Sequence, residues 1–289
     1  MEAKQFTCTI GCKINIGLHV GKLLPNGYHE VNTLLYPIPN PYDTLHIIEH
    51  EKKKSFSIEC EMYRDLEKEN ILHNTYEAIM KYCKKNSISF PFSYSLVLHK
   101  GIPMGAGLGG GSADAGTFLS YFSQRFGELF PYSVLDDIAK SLGADVPFFL
   151  YNKPAYAEGI GSILYETDFS LQGLYCLIAE LPHTINTATA YKELDIFRKN
   201  NKKNLTGKNK YSKRYSRLAL MVNDFEEMLF QSYPDMKQCK ESFILNGAVL
   251  AGVSGSGSSM FGIFRTKKER SDAELSVQNI VKALYLSDL

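Results

Sequence analysis

Six of the eleven residues from Gly101 to Gly111 are glycine, in the run Gly101-Ile-Pro-Met-Gly-Ala-Gly-Leu-Gly-Gly-Gly-Ser-Ala113. A strand-like stretch, Tyr94-Ser-Leu-Val-Leu-His-Lys100, precedes it, and helical spacing with apolar Ala115, Leu119 and Phe122 follows. A flexible linker has no reason to lie between a strand and an amphipathic helix, and Pro103 stiffens the entry. Glycine lets the backbone turn through positive φ and come close to another group. The first N–H groups of a helix lack partners inside it, and its dipole favours an anion. Strand, near-bare loop and helix therefore make a phosphate cradle. Ser112 can cap the helix there, or turn its hydroxyl to a phosphate or its metal ion.

Two familiar phosphate loops are excluded. A P-loop needs Gly-Lys-Ser/Thr, and no lysine follows Gly111 before the helix. Gly105-Ala-Gly107-Leu-Gly-Gly110 fits GxGxxG, but a dinucleotide unit would show a second strand ending in an acid about 20 residues on. Ser133-Val-Leu-Asp136 reads instead as the capping box of another helix.

The length of 289 residues suits two domains, and 44% hydrophobic residues supply a sizeable core. A net charge of +1 points to neither nucleic acid nor a membrane surface. No apolar run approaches the roughly 18 residues of a membrane helix. Met1-Glu-Ala-Lys-Gln5 lacks the apolar stretch of a secretory signal. Six cysteines, at 8, 12, 60, 83, 176 and 239, show no metal-like spacing. They read as reduced thiols of a cytoplasmic protein.

From Phe6 to Val20 every even position is apolar, while polar residues and glycine alternate with them. That period of two predicts a strand with Lys13 and Asn15 on one polar face. A turn at Leu24-Pro-Asn-Gly27 follows, then strands at Thr33–Ile38 and Thr44–His50 and a helix over Asn70–Asn86. After the glycine run and its helix come a helix from Ser133 to Leu142, stopped by Gly143, and strands at Phe148–Tyr151 and Ala155–Leu164. The second part opens on Leu174–Leu181. Helices are expected around Thr187–Leu194, Tyr215–Ser232 and Asp235–Leu245, and strands at Ala248–Val253 and Ser259–Phe264. Strands and helices mix without regular alternation, so the class is α+β. Arg198 to Arg217 holds nine Lys/Arg and no acid. Without a helical stripe it reads as a solvated loop rather than a nucleic-acid patch.

Five segments belong together: Gly11-Cys-Lys-Ile-Asn15, Asn26-Gly-Tyr-His-Glu-Val-Asn-Thr33, the glycine loop, Leu142-Gly-Ala-Asp-Val-Pro147 and Val253-Ser-Gly-Ser-Gly-Ser258. With Asn223-Asp-Phe-Glu226, their order and spacing resemble the GHMP kinase superfamily. Within it they are most similar to a branch whose acceptor alcohol carries a cytidine diphosphate group. Cys12 stands where alanine is usual, and Ala113-Asp-Ala-Gly116 where a second serine is common.

The resemblance implies a two-domain GHMP kinase, 1–165 and 166–289, with the active site in the inter-domain cleft. It assigns ATP to Pro103, Met104, Gly105, Ala106, Gly107, Leu108, Gly109, Gly110, Gly111, Ser112 and Ala113, with Mg²⁺ on the nucleotide. Read alone, Lys13 is an ordinary strand lysine, and Asp145 a carboxylate satisfying backbone donors in its turn. The resemblance makes them the catalytic pair. Asp145 orients the acceptor hydroxyl and takes its proton, while Lys13 draws on the developing charge. Tyr28 and His29 would hold the cytosine, by ring stacking and by the histidine main chain or ring, with Tyr191 as the second ring. Asn15, Thr187, Gly255 and Ser256 would meet the rest of the acceptor. No protein metal site, nucleic acid or membrane partner is expected, and the protein is expected as a monomer or homodimer. The alternatives are a GHMP kinase for another small alcohol, or a non-catalytic nucleotide- or RNA-binding protein.

Overall fold

The computed structural model describes residues 4–51, 55–201 and 222–289. Two compact units interleave along the chain. The first takes the residues up to Cys12, then Tyr42–Ile102 and Gly110–Asn152; the second takes Lys13–Pro41, Pro103–Gly109 and Lys153–Leu289. The 165/166 boundary follows chain order rather than these units. The basic stretch lies almost wholly outside the described residues.

Strands β1 (Lys4–Leu23) and β2 (His29–His50) form a long hairpin around the Leu24–Gly27 turn. The expected strands at 33–38 and 44–50 are thus one. In the first unit, the second half of β2 pairs antiparallel with β4 (Ser93–His99), from Thr44↔His99 to His50↔Ser93. The short β3 (Ser57–Glu59) lies parallel to β4. Helices α1 (Ile71–Lys85), α2 (Gly110–Phe126), α3 (Tyr132–Leu142) and α4 (Val146–Tyr151) complete the unit. Asn70 caps α1 by accepting from the Leu72 amide. Its buried residues Leu72, Thr75, Ile79 and Cys83 recur at helical spacing. They join Leu45, Ile47, Leu96, Phe118, Phe122 and Phe130 in one core.

The α4 segment corrects an expectation, because Phe148–Tyr151 is helix, not strand. Val146 through Leu150 are all buried, and a short run buried on every side carries no period to separate the two. Pro147 in the first turn has its φ already set for a helix. The capping box also fails. Helix α3 starts one residue earlier, after Pro131 and with no side-chain cap. Asp136 pairs instead with Lys140 one turn on.

In the second unit, β5 (Ala155–Glu158) pairs with Thr33–Leu35 of β2 and with β6 (Ile163–Glu166), so the expected strand at 155–164 is a hairpin. A four-stranded antiparallel sheet follows, ordered β10-β7-β9-β8: Ala283–Asp288, Tyr175–Glu180, Met260–Phe264 and Leu250–Val253. The unit's helices are α5 (Thr187–Asn200), α6 (Glu226–Ser232), α7 (Pro234–Leu245) and α8 (Lys267–Val277). Leu18, Val20 and Val31 of the hairpin join Leu177, Phe225, Phe243, Met260 and Phe264 in its core. The six cysteines are free thiols. Among the described residues no helix is long and apolar enough to cross a membrane.

Candidate active site

The alternation in β1 predicts a polar face, and the structure buries its middle. Lys13 and Asn15 are only 3% and 4% exposed. A buried ammonium must be hydrogen-bonded to be tolerated. Lys13 Nζ donates to the Asn15 side-chain oxygen and, at 3.0 Å, to the carbonyl of Gly107. Asn15 Nδ2 in turn donates to the Thr33 hydroxyl, which donates to the Gly17 carbonyl at 2.6 Å. The Asn15 amide donates to Ser254 Oγ, whose hydroxyl donates to Gly107 O at 2.9 Å. Lys13, Asn15, the loop and the turn at 254–257 are thereby joined within the second unit.

The loop residues Pro103–Gly109 are held from below by main-chain bonds. The Lys13 amide donates to Leu108 O and the Ser259 amide to Ala106 O, both at 3.1 Å. Gly107 has φ +77°, and a Cβ there would lie 2.1 Å from the carbonyl of Ser254. Only glycine fits. Gly107→Ala is expected to displace the loop and to cost about 1–3 kcal/mol of stability. Urea unfolding checks this; an unchanged midpoint would show that the loop does not depend on this approach.

Helix α2 begins at Gly110, placing Gly111, Ser112 and Ala113 in its first turn. Ser112 is half-buried and Ala113 buried. Asp145 immediately precedes α4 and does not cap it. Its position is set by close packing, because a Cβ on Gly116 of α2 would come within 2.5 Å of Phe149 Cβ and 2.9 Å of the Leu150 amide. Asp145 and α2 therefore belong to one packed frame.

Sequence reasoning missed a buried ionic cluster in that frame. Lys100, 8% exposed, donates to Asp43 Oδ2 and, at 2.8 Å, to Asp114 Oδ2. Asp43 Oδ1 accepts from the amides of Gly101 and Ile102. Lys100 thus ties the residues entering the loop to the helix leaving it. Burial pushes the Asp114 carboxyl up to about 8 against the pull of Lys100, and its Oδ1 has no hydrogen-bond partner. The same burial opposes the charge on Lys100, but Asp114 and Asp43 outweigh it and hold that pKa above the ordinary lysine value.

The other expected residues fall in the second unit. Tyr28 is 60% exposed, with its carbonyl accepting from the Leu24 amide across the turn. His29 is buried and stacks on Tyr191, centroids 5.3 Å apart. Thr187 starts α5 behind the Asn186 cap, and its hydroxyl meets that of Ser256 at 3.1 Å. Asn223-Asp-Phe-Glu226 supports these groups residue by residue. Asn223 Nδ2 donates to the carbonyls of Val253 and Gly255. Asp224 accepts from the Val20 amide, Phe225 meets Tyr191 edge-on at 5.0 Å, and Glu226 accepts from the Val253 amide.

Residues 70–153 match the family model of the GHMP kinase N-terminal domain and residues 208–283 that of the C-terminal domain. The 4-diphosphocytidyl-2-C-methyl-D-erythritol kinase of Lawsonia intracellularis is 37% identical over 290 residues, spanning 94% of this chain and 92% of that protein. The chain belongs to the GHMP kinases. The similarly described kinase of Solidesulfovibrio magneticus is 35% identical and spans 97% of this GHMP kinase and 95% of its own length. The fold agrees with a crystal structure of 4-(cytidine 5'-diphospho)-2C-methyl-D-erythritol kinase, with a TM-score of 0.71, 24% identity and coverage of 98% and 99%. It also agrees with homoserine kinase from Cytophaga hutchinsonii, with a TM-score of 0.65, 16% identity and coverage of 98% and 94%.

Proposed function

We propose that this GHMP kinase transfers the γ-phosphoryl group of ATP to the 2-hydroxyl of 4-diphosphocytidyl-2-C-methyl-D-erythritol, a step of non-mevalonate isoprenoid biosynthesis. One observation carries the reading: relatives bearing that kinase's name align over 94% and 97% of the chain. Transfer to an alcohol passes through a loose transition state, so the protein chiefly positions reactants and stabilises charge. Asp145 orients the 2-hydroxyl and accepts its proton as the O–P bond forms and the bond to ADP breaks. Lys13, fixed by Asn15 and Gly107, stabilises the charge that develops. Residues 103–113 cradle the nucleotide phosphates. The glycine turn at Gly255-Ser256 offers backbone N–H groups to the acceptor's diphosphate.

Mg²⁺ fits as an ion carried by the nucleotide, since it takes few protein ligands and keeps phosphate and water oxygens. Ser112 offers a hydroxyl in the first turn of α2, and Asp114, just after it, is already engaged by Lys100. When bound, the ion neutralises charge on the phosphates. Tyr28 and Tyr191 stack on the cytosine. In this reading residues 1–165 supply the nucleotide loop and 166–289 supply Thr187, Tyr191 and the 254–257 turn. The kinase works in the cytoplasm as a monomer or homodimer, without nucleic acid or membrane.

A coupled ADP-release assay decides between acceptors. Turnover is expected with 4-diphosphocytidyl-2-C-methyl-D-erythritol and not with homoserine, mevalonate or galactose; preference for one of the latter overturns the reading. Tyr28→Ala is expected to weaken cytidine diphosphate binding about tenfold, by loss of one stacking face. Calorimetric titration checks it, and unchanged binding would favour a GHMP kinase for another small alcohol.

A further inference from the structure

Helix α5 carries one partly buried acid that the proposed chemistry does not use. Thr187, Tyr191, Asp195 and Arg198 follow at intervals of four, four and three residues and so share one helix face. Thr187 meets Ser256, and Tyr191 stacks on His29. Arg198 donates to the Val20 carbonyl at 3.0 Å and to Asp224 at 2.7 Å. Asp195 Oδ2 lies 3.2 Å from His29 Nε2.

The opposite nitrogen, His29 Nδ1, lies 3.1 Å from the carbonyl of Gly21. A carbonyl only accepts, so Nδ1 carries a hydrogen and donates it. The carboxylate of Asp195 sits against Nε2 at ion-pair distance. Both ring nitrogens are therefore spent on the scaffold, the ring face lies on Tyr191, and the side chain is 5% exposed. Neither nitrogen is left to meet a nucleobase.

We propose that Asp195 is a positioning residue for acceptor selection, locking the His29 ring and through it the Tyr28-His29 corner against which the acceptor's nucleobase binds. The inference rests on the cytidine diphosphate reading of the acceptor. The turn pins the Tyr28 carbonyl from one side, while Asp195 and Gly21 pin the next residue from the other. Without the carboxylate, the imidazole keeps one anchor and can rotate about it, carrying the corner with it.

Asp195→Leu, Asp195→Asn, His29→Ala and the His29→Ala/Asp195→Leu double variant test this. Steady-state kinetics with 4-diphosphocytidyl-2-C-methyl-D-erythritol and calorimetric titration with cytidine diphosphate are the readouts. Asp195→Leu is expected to raise the acceptor KM and the Kd for cytidine diphosphate about tenfold, by freeing the His29 ring from one of its two anchors. Both kcat and the KM for ATP should stay within about twofold. Asp195→Asn, whose amide oxygen can still face Nε2, should remain within about threefold of wild type. In the His29→Ala background Asp195→Leu should add nothing, because the acid acts through the ring.

An equal change in kcat and the ATP KM would reduce Asp195 to a structural residue, and a full further loss in the His29→Ala background would show that it does not act through His29. Should Asp195→Leu not fold, Asp195→Ser, whose hydroxyl is too short to reach the ring, is read in the same way. Cytidine diphosphate binding that depends on Asp195 without turnover would sink the proposed reaction and leave this inference standing. Turnover with a KM indifferent to Asp195 does the reverse.

Discussion

Replacing Asp145 by alanine is expected to lower kcat by about 10²- to 10⁴-fold, the usual contribution of a positioned proton acceptor. ATP binding should be unaffected, because in the proposed role the residue meets the acceptor hydroxyl and not the nucleotide. The expectation depends on rigidity. Helix α4 lies so close on α2 at Gly116 that the packing leaves no room for a Cβ, so Asp145 is delivered to one place. Asp145→Asn separates its two roles, since an amide can orient a hydroxyl but cannot take its proton. Activity above about a tenth of wild type in this variant would assign orientation as the main task. Single-turnover rates at saturating ATP provide the measurement, and undiminished turnover in Asp145→Ala would remove the residue from the mechanism. Lys13→Met should lose about 10²- to 10³-fold in kcat, as for deletion of one preorganised charge-stabilising donor.

The second large effect is on stability. Lys100→Met leaves Asp43 and Asp114 buried side by side without their cation, and breaking a buried ion pair in this way costs about 3–5 kcal/mol. A melting temperature lower by about 10 °C is expected, and a shift under 2 °C would show the cluster to be hydrated.

The cluster also has a pH signature. In the unfolded chain Asp114 titrates near 3.8, while in the folded protein it keeps its proton up to about pH 8. Between those values the folded state binds more protons, so its stability falls as the pH rises. The contribution is fully present below pH 3.8 and lost as the pH passes through 8. From pH 7 to 9 the wild type should lose about 1 kcal/mol relative to Asp114→Asn, which has no proton to release. Urea unfolding at the two pH values checks it, and parallel slopes for the two proteins would exclude the protonated carboxyl.

The loop and the long strand at its side were legible because their signals are local. Glycine density marks a loop, and strict alternation marks β1 whatever packs on it. What alternation could not say is that Lys13 and Asn15 on the polar face of β1 are also buried. That follows from partners 94 and 239 residues away, Gly107 and Ser254. Lys100, Asp43 and Asp114 escaped notice for a related reason. Charged residues are exposed by default, and nothing in Tyr42-Asp-Thr or Ser-Ala-Asp-Ala announces that two acids 71 residues apart meet one lysine. The α8 helix was readable and overlooked, since Thr266 and Glu269 form a complete capping box. In α4, by contrast, five consecutive buried residues erase the period that sequence reading needs.

Because the two units interleave, neither can be excised as a continuous piece. The first has all its residues once position 152 has been synthesised, whereas the second must wait for the strand at 283–288. A nascent or truncated chain ending near residue 165 would carry Leu18, Val20 and Val31 with none of the 177–277 side chains that cover them. Such a chain exposes an apolar hairpin and invites aggregation. Stop codons and proteolytic nicks in the second half should therefore yield insoluble fragments instead of a working nucleotide-binding half.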